Sequence, residues 1–363
     1  MTDHSDLPSI SVVMAVGGNR ADSCGEIVRG VRSILNQDYE GELEVILVVD
    51  PDNSTIRQCS LPNSVRFLNF TRPPGLKGRD ANARWKFGWD HARGQILAST
   101  GAFLEWKGSN ASIAVEIMRT QGVEAVDGIV RRSPGDTSFI GLFRDEALIS
   151  EFAPFRKDIR LTPDTMAACS RLPTYVTFFM TRSFFNRVKD SLLVESSSDS
   201  VWGGTCWDDF CTASAMVKAG GEIYCTNRLV AYLLHGSTFR IHKQFSSGVS
   251  GARYCWDHPG DRYARRRLTQ TILVATALMF ASLSTAALAA RHGLVGLGFC
   301  VLVLVIGFLL AGIVNSIKAK DWRAFFFPPL TFVQVLVWTC VALYASITDK
   351  PDEEFLAGVS RNR

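Results

Sequence analysis

Acidic residues stand where one predicted strand ends and just before a predicted helix. Asp50 follows the apolar run VILVV, and the Thr100-Gly101 turn follows the run ILAS. Ligands of parallel sheets bind beyond the carboxyl ends of the strands, and a carboxylate there accepts hydrogen bonds well. Asp208-Asp209 form a second acidic group, in which two adjacent carboxylates influence each other's protonation. Each group could also have a purely structural role: Asp50 could cap a turn, and Asp208-Asp209 could cap the helix predicted at 210–219.

The elements that must position these residues alternate between strand and helix. Short apolar, β-branched runs predict buried strands at 10–16, 45–49, 65–70, 96–99 and 125–130. Apolar residues at helical spacing predict helices at 27–35, 81–92 and 112–119. This alternation predicts an α/β fold with a mostly parallel sheet covered on both faces. Such a fold suits nucleotide binding without specifying a reaction.

Composition excludes several classes of protein. The 363 residues carry 39 Lys+Arg and 35 Asp+Glu, and this net charge of +4 is too small to indicate nucleic-acid binding. The nine cysteines show no paired spacing, which argues against a disulfide framework or a structural zinc site and favours reduced thiols facing the cytosol. The polar N-terminal residues do not resemble a secretory signal peptide.

The C-terminal part of the chain is strongly apolar. Three stretches lack Asp, Glu, Lys and Arg: Thr269–Ala290, Leu294–Val314 and Ala324–Ile347. Each has about the 20 residues that cross a bilayer as helix, so we predict about three membrane helices within 269–347 rather than buried core helices. Pro328-Pro329 leave a kinked or re-entrant third element open.

Positive charge predicts the orientation of these stretches. One cluster precedes the first stretch, and another lies between the second and third; their members are Arg262, Arg265, Arg266 and Arg267, then Lys318, Lys320 and Arg323. Both clusters should be cytoplasmic, which puts residues 8–235 inside and the polar tail 348–363 outside. Residues 236–268, rich in aromatic and basic side chains, fit an interfacial segment or a solvated linker.

Four segments in the same order resemble family 2 glycosyltransferases of the GT-A fold. They read ISVVMAVGGN from Ile10, VRSILNQDYEGELEVILVVDPDNST from Val31, KGRDANARWKFGWDHARGQILAST from Lys77, and CWDDFCTASAMVKAGGEIY from Cys206. His235 and the later segment HKQFSSGVSGARY are similar to membrane-anchored enzymes of exopolysaccharide synthesis, the succinoglycan type. Together these segments cover roughly residues 10–255, and their order makes the resemblance specific.

The resemblance implies an inverting glycosyltransferase with a nucleotide-sugar donor. Asp209 would be the general base that deprotonates the acceptor hydroxyl, and Asp208 would hold the acceptor or the base. Asp50 would accept hydrogen bonds from the nucleotide. The expected donor-binding set is Asp50, Asp52, Lys77, Arg79, Arg84, Thr100 and Gly101. The expected diphosphate and acceptor set is His235, Arg240, His242 and Lys243.

One family feature is missing. The aspartates of the family's metal-binding Asp-x-Asp motif align with Gly101 and Phe103, neither of which offers the oxygen ligands that Mg²⁺ or Mn²⁺ prefers. Cationic side chains could neutralise the diphosphate instead, with Lys77, Arg79, Arg84, His235, Arg240, His242 and Lys243 as candidates. Glu105 could supply a carboxylate if residues 101–105 formed one extended strand. The chain could also have lost activity. No cofactor is therefore certain: Mg²⁺ or Mn²⁺ stays an open alternative although the Asp-x-Asp motif is absent, and no metal ligands are assigned.

We expect sugar transfer from a UDP- or GDP-linked donor to a lipid-linked or polysaccharide acceptor at the membrane. The protein would be integral to a bacterial plasma membrane, in contact with its lipids, with the catalytic domain in the cytoplasm. The main alternative is a non-catalytic pseudo-glycosyltransferase that acts as a scaffold in a membrane glycan-synthesis assembly. A metal-independent nucleotidyltransferase is a third possibility, with only Gly17-Gly18-Asn19-Arg20 as a faint phosphate-loop match.

Overall fold

The structure is a computed structural model of the chain. It describes residues 7–17, 23–53, 56, 58–71, 81–146, 158–166, 175–190, 192, 212–214, 216–234 and 262–347. The chain divides into two compact units. One comprises Met1–Gly141 and Glu151–Thr238, and the other comprises Leu142–Ser150 and Phe239–Arg363.

A nine-stranded sheet forms the centre of the first unit. Its strands are β1 Ile10–Ala15, β2 Leu43–Val49, β3 Val65–Asn69, β4 Ile96–Gly101, β5 Leu104–Trp106, β6 Ala125–Arg132, β7 Ile159–Leu161, β8 Phe178–Thr181 and β9 Ile223–Leu233. Their order is β3-β2-β1-β4-β8-β6-β9-β5, and β7 pairs with β9 beside this path. The pairings make β5, β7 and β8 antiparallel to the other six strands. The predicted α/β fold with a mostly parallel sheet is confirmed.

Helices of the first unit pack on the sheet: α1 Cys24–Leu35, α2 Ala81–His91, α3 Asn110–Gln121, α5 Pro163–Met166 and α6 Arg182–Val188. Helix α4, Phe139–Glu146, has most of its residues in the second unit. Helix α1 begins with a capping box, in which Ser23 accepts from the Glu26 N–H and the Glu26 carboxylate accepts from the Ser23 N–H. Its buried residues Ile27, Val31 and Ile34 recur at helical spacing, which explains why this stretch forms a helix against the sheet.

Close contact between α2 and the sheet depends on glycine. A Cβ at Gly88 would overlap a methyl carbon of Val13 on β1 and lie 3.0 Å from a methyl carbon of Val48 on β2. Because Gly88 lacks that atom, α2 lies close enough to place its N-terminal half near the carboxyl ends of β1 and β2.

The second unit consists mainly of apolar helix. It contains α7 Arg262–Ala319, the 3-10 helix Trp322–Phe326 and α8 Phe327–Ile347. Helix α7 is broken at Gly293, whose φ of 56° and ψ of −136° are not helical. A Cβ at Gly296 would clash with the carbonyl oxygen of Leu288, although eight residues of continuous helix would separate these positions by about 12 Å. The chain therefore turns sharply at Gly293.

The second half of α7 packs against the elements that follow it. Phe308 of α7 meets Phe332 of α8 with ring centroids 5.9 Å apart, and Phe143 of α4 meets Phe327 at 5.2 Å. The two prolines 328 and 329 lie in the first turn of α8, where the missing N–H groups cost little. The predicted third stretch is thus divided into a 3-10 helix and an α-helix, and no kink is seen within α8.

The apolar helices of the second unit keep much of their surface exposed. Ile272–Ala319 is the one helix among the described residues that is long and apolar enough to cross a membrane, and Trp322–Val337 is a shorter apolar stretch. At Gly293 the long helix divides into residues 272–292 and 294–319, which span about 31 and 39 Å at ~1.5 Å per residue. Leu294, beside the turn, is 86% exposed. Of the predicted interfacial segment, only residues 262–268 are described, and they belong to α7.

Candidate functional site

Three parallel strands end together at one edge of the sheet. In register, Ala15 of β1 lies between Val48 of β2 and Gly101 of β4. The residues that follow β1 and β2, Gly17 and Asp50, are therefore neighbours at this edge. The sequence predicted Asp50 and Gly101 at strand ends, and the sheet order brings these ends together.

Asp50 is held by a buried arginine. The Nη2 of Arg84 on α2 donates to Oδ1 of Asp50 at 2.5 Å, and its Nη1 donates to the carbonyl oxygen of Val16 at 3.2 Å. Arg84 is 2% exposed, and its guanidinium lies 5.1 Å from the centre of the Phe70 ring just after β3. One side chain thus joins the ends of β1, β2 and β3. Because Arg84 is buried, it fixes the orientation of the Asp50 carboxylate and does not itself face open solvent.

Gly17 brings backbone close to the other oxygen of Asp50. Its φ is 98°, a conformation that glycine adopts without strain. A Cβ here would lie 2.9 Å from Oδ2 of Asp50 and 3.5 Å from Nδ2 of Asn53. The Asp50 side chain nevertheless remains 41% exposed. The result is a small cradle of backbone and carboxylate at the sheet edge, which we call the Gly17–Asp50 cradle.

The other described donor-site candidates differ in accessibility. Asp52 is exposed in the turn that follows Asp50. Thr100 is fully buried: its hydroxyl accepts from Nε1 of Trp106 at 3.1 Å, and its carbonyl oxygen accepts from Nε1 of Trp85 at 2.9 Å. Thr100 therefore joins the sheet to two tryptophans through its polar atoms. The tryptophans pack inside the domain, as expected of aromatic residues near an α/β core.

Gly101 marks the position where the family's metal-binding motif would begin. Strand β4 ends at Gly101, the chain turns at 102–103, and β5 starts at Leu104. A Cβ at Gly101 would lie 2.9 Å from the ring of Phe103, so this ring occupies the space beside the strand end. The carbonyl oxygen of Phe103 accepts from the N–H of Leu234, which fixes the turn against the end of β9.

Glu105 does not share a strand face with Gly101 and Phe103, contrary to the extended arrangement considered for it. Its Oε2 accepts from Nη2 of Arg29 at 2.6 Å, so the carboxylate is engaged with α1. The turn at 102–103 is the reason, because it separates β4 from the antiparallel strand β5. Among the described residues, no group of three or more His, Cys, Asp or Glu side chains could hold a metal ion.

All of the other predicted site residues lie outside the described residues: Lys77, Arg79, Asp208, Asp209, His235, Arg240, His242 and Lys243. One described contact bears on this region. Residues 212–214 and 216–218 are helical, and Oγ1 of Thr212 accepts from Nδ2 of Asn82 at 3.0 Å. The helix that follows the acidic pair in sequence is therefore bound to the first turn of α2, two residues before Arg84.

Two arginines at the same sheet edge were not assigned to the site from the sequence. Strand β6 runs parallel to β4, so Arg131 and Arg132 at its end lie at the edge where β4 ends. Arg132 pairs in register with Leu233 of β9, and its Nη1 donates to the carbonyl oxygen of Asp136 at 3.1 Å. From the sequence, Arg131-Arg132 after a strand could meet a phosphate, but a solvated strand end was the favoured explanation, because strand order cannot be read from one strand.

Comparison with known proteins supplies the fold but no family. No protein-family model matches the sequence, and no curated protein matches it. The mannosyltransferase PcManGT from Pyrobaculum calidifontis, solved with GDP-Man and Mn²⁺, matches with a TM-score of 0.57 at 17% identity, over 96% of this chain and 90% of that one. S. aureus TarS 1–349, solved with UDP-GlcNAc, matches with a TM-score of 0.42 at 11% identity, over 67% and 66%. The first of these matches shows that the chain shares the fold of that mannosyltransferase.

Proposed function

We propose that this protein is an inverting glycosyltransferase that moves a sugar from a nucleotide donor to an acceptor at a membrane. The observation that carries the proposal is the Gly17–Asp50 cradle, held by Arg84 at the carboxyl edge of a glycosyltransferase-like sheet. Ligands of such sheets bind at this edge. The acidic pair Asp208-Asp209, identified in the sequence, supports sugar transfer rather than nucleotide binding alone.

Asp50 would recognise the nucleoside part of the donor. Its carboxylate is partly exposed, so it can accept hydrogen bonds from an N–H of the base or a ribose hydroxyl. Arg84 would fix the orientation of that carboxylate, and the absent side chain of Gly17 would let the nucleotide approach the backbone. Asp52, exposed in the same turn, would contribute to donor binding at the edge of the Gly17–Asp50 cradle.

Asp209 would act as the general base and Asp208 would assist it. In one inverting displacement, Asp209 takes the proton of the acceptor hydroxyl while that oxygen attacks the anomeric carbon and the nucleoside diphosphate leaves. The contact between Thr212 and Asn82 supports this assignment, because it binds the helix after the acidic pair to the helix that carries Arg84.

Positive side chains would neutralise the departing diphosphate. The residues at the Asp-x-Asp position, Gly101 and Phe103, do not fit Mg²⁺ or Mn²⁺, and Glu105 is paired with Arg29. Fixed cations can stabilise developing charge in place of a metal. The candidates are Lys77, Arg79, His235, Arg240, His242 and Lys243, with Arg131 and Arg132 at the same sheet edge.

The second unit would anchor the enzyme in the bilayer and favour a lipid-linked acceptor. The turn at Gly293 divides α7 into two lengths that each suit a bilayer core of ~30 Å. Arg265 at one end and Lys318 at the other would both lie on the cytoplasmic side. An anchored site raises the effective concentration of an acceptor in the same membrane. A growing polysaccharide is the alternative acceptor.

Isothermal titration tests donor binding. The full-length protein in detergent would be titrated with UDP and with GDP, each with and without Mn²⁺. We expect binding of one nucleotide without metal, and a loss of about tenfold or more in Asp50→Asn, which removes a charged acceptor. Asp90→Asn, on the exposed face of α2, is the control and should bind normally. Absence of binding under every condition would contradict the proposal.

The role of Asp209 has its own test. Asp209→Asn should abolish sugar transfer and leave nucleotide binding nearly intact, because a positioned base acts only on the reaction, with a contribution of ~10²–10⁴-fold. Transfer would be measured with radiolabelled nucleotide sugars and membrane lipid extracts. An equal loss of binding and transfer would show that Asp209 serves the fold or the donor site.

A non-catalytic scaffold is the second candidate, and the loss of carboxylates at Gly101 and Phe103 favours it. Such a protein would bind a nucleotide or a partner transferase without turnover. Nucleotide binding by wild type together with no transfer from any donor, and no effect of Asp209→Asn, would support the scaffold over the enzyme.

A further inference from the structure

Nearly all of the charge in the helices of the second unit lies at or just beyond the two ends of α7. Between residues 262 and 347, Asp321 is the sole acidic residue. Arg291, beside the Gly293 turn, is the sole Lys or Arg in the middle of α7. The others flank the apolar stretches: Arg262, Arg265, Arg266, Arg267, Lys318, Lys320 and Arg323. Two long uncharged stretches thus have basic residues at their outer ends.

The turn at Gly293 brings these outer ends to the same level. A Cβ at Gly296 would clash with the carbonyl oxygen of Leu288, so the second half of α7 turns back along the first. At ~1.5 Å per residue, Arg265 lies about 42 Å and Lys318 about 38 Å of helix from the turn. Both lengths exceed a hydrocarbon core of ~30 Å, so both residues would lie among the headgroups on one side of a bilayer. We call this group the basic end: Arg262, Arg265, Arg266, Arg267, Lys318 and Lys320.

The one carboxylate beside the basic end is already paired. Oδ2 of Asp321 accepts from Nη2 of Arg323 at 2.7 Å, and Oδ1 accepts from the Arg323 N–H at 2.9 Å. Lys318 and Lys320 are exposed and have no acidic partner among the residues that the structure describes. The four arginines belong to the first two turns of α7, where the helix dipole adds to their positive charge. The basic end therefore lacks balancing negative charge within the described part of the chain.

An exposed aromatic pair lies next to the two lysines. Trp322 and Phe326 are 72% and 53% exposed, with ring centroids 6.2 Å apart on the 3-10 helix. This helix is held against α7, because a Cβ at Gly312 would lie 2.6 Å from the carbonyl oxygen of Phe325 and 2.9 Å from its ring. Tryptophan is enriched where hydrocarbon meets the lipid headgroups. The aromatic pair thus supports a position of the basic end at that level.

We propose that the basic end binds anionic phospholipids, with its arginines and lysines on the lipid phosphates. Groups of four to eight Lys and Arg beside a membrane helix attract anionic lipid in this way. A free phosphate ion offers the same charge, but the exposed apolar surface of α7 beside the basic end favours a ligand with acyl chains. The proposal rests on the part of the proposed function that places the second unit in a bilayer, and it does not depend on sugar transfer.

Spin-labelled lipids measure this selectivity. Full-length protein would be reconstituted in phosphatidylcholine vesicles with a trace of spin-labelled phosphatidylglycerol or phosphatidylcholine, and the motionally restricted fraction gives their relative association constants. We expect a preference for phosphatidylglycerol of roughly fivefold or more, which decreases at high salt. The double variants Lys318→Gln/Lys320→Gln and Arg265→Gln/Arg266→Gln should each lower it by about half or more. Arg291→Gln, at the other end of both halves of α7, is the matched control and should keep it.

Charge and structure are separated by a conservative variant. Lys318→Arg/Lys320→Arg keeps the charge and should keep the preference. Equal association of both lipids with wild type, or an equal loss in Arg291→Gln, would overturn the proposal. Displacement of the labelled lipid by millimolar inorganic phosphate, beyond the effect of sodium chloride at the same ionic strength, would indicate a small-anion site and also overturn it.

Vesicle flotation distinguishes this proposal from the membrane anchor on which it rests. Wild type that floats with vesicles of either lipid but shows no preference would count against the anionic-lipid site alone. Wild type that floats with neither would contradict the membrane anchor in the proposed function, and the lipid site with it.

Discussion

At the scale of single residues, the pair of Asp50 and Arg84 joins an exposed carboxylate to a buried guanidinium. Arg84 is enclosed by α2, the end of β1 and the Phe70 ring, and its charge is balanced within the protein by Asp50. Asp50 itself can be hydrated on its open side. The two halves of this ion pair should therefore respond differently to substitution.

Asp50→Asn should destabilise the protein more than Arg84→Met. The first change leaves a buried cation with a neutral partner, which costs about 2 kcal/mol; the second leaves a carboxylate that water can reach, which costs about 1 kcal/mol. We expect Tm decreases of roughly 4–8 °C and 2–4 °C in thermal unfolding of the full-length protein. The double variant should resemble Arg84→Met, whereas simple additivity of the two losses would show that the side chains are uncoupled.

At the scale of elements, α2 is the helix that positions the site. It carries Asn82, which binds Thr212, and Arg84, which binds Asp50, and Gly88 lets it lie against β1 and β2. The sequence predicted α2 within one residue of its observed end. Its distance from the sheet could not be predicted, because that distance depends on the side chains of two other strands.

Gly88→Ala should displace α2 from the sheet and so impair the site. The new methyl group would overlap Val13, and overpacking of a core typically costs 1–3 kcal/mol. Nucleotide titration should show weaker binding together with a lower Tm. Gly25→Ala is the matched control, since a Cβ at Gly25 in α1 would have no atom within 4 Å. That change should leave binding intact and stabilise α1 slightly, and a similar loss in both variants would contradict the packing argument.

The strands illustrate the same division between local pattern and long-range pairing. The predicted strands at β1, β2, β3, β4 and β6 are all present, since each contains a short apolar run. Strand β3 differs from the prediction of a buried strand: it lies at the edge of the sheet, and Phe67 is 45% exposed. The antiparallel strands β5, β7 and β8 were not predicted, and the long parallel strand β9 was not predicted either. Strands β5 and β7 have only three residues each, and they are defined by pairing with a distant strand rather than by their own composition.

At the scale of the whole molecule, an apolar helical unit accompanies an α/β unit of glycosyltransferase fold. The helical unit exposes many large apolar side chains along α7, as expected of a surface that faces hydrocarbon. Three predicted stretches correspond to two halves of α7 and to α8, with turns at Gly293 and at Lys320. Their basic flanks predict a topology that can be measured.

Reporter fusions test that topology in bacterial cells. Alkaline phosphatase, which is active only outside the cytoplasm, should be active when fused after His292, inactive after Lys320 and active after Ile347. Green fluorescent protein at the same positions should give the opposite pattern. These outcomes follow if α7 crosses twice and α8 once, with both basic clusters inside. An inactive phosphatase after His292 would show that α7 does not cross the membrane at its Gly293 turn.

By itself, the sequence determined the local structure and which chemically reactive or ligand-binding residue types are present. Apolar periodicity located the central strands and helices, the three C-terminal stretches were recognised as strongly apolar, and the missing aspartates at Gly101 and Phe103 were visible directly. These features depend on residues that are close in the chain. They could therefore be read without knowing which strands are neighbours.

Tertiary structure decided which of these residues meet. Arg84 is bound to Asp50 rather than open to a phosphate, and Glu105 of β5 is paired with Arg29 of α1. Each of these contacts joins residues at least 34 positions apart, so it depends on sheet order and helix packing. Those are fixed by the summed burial of many side chains and not by any single pattern, which is why the sequence alone could not supply them.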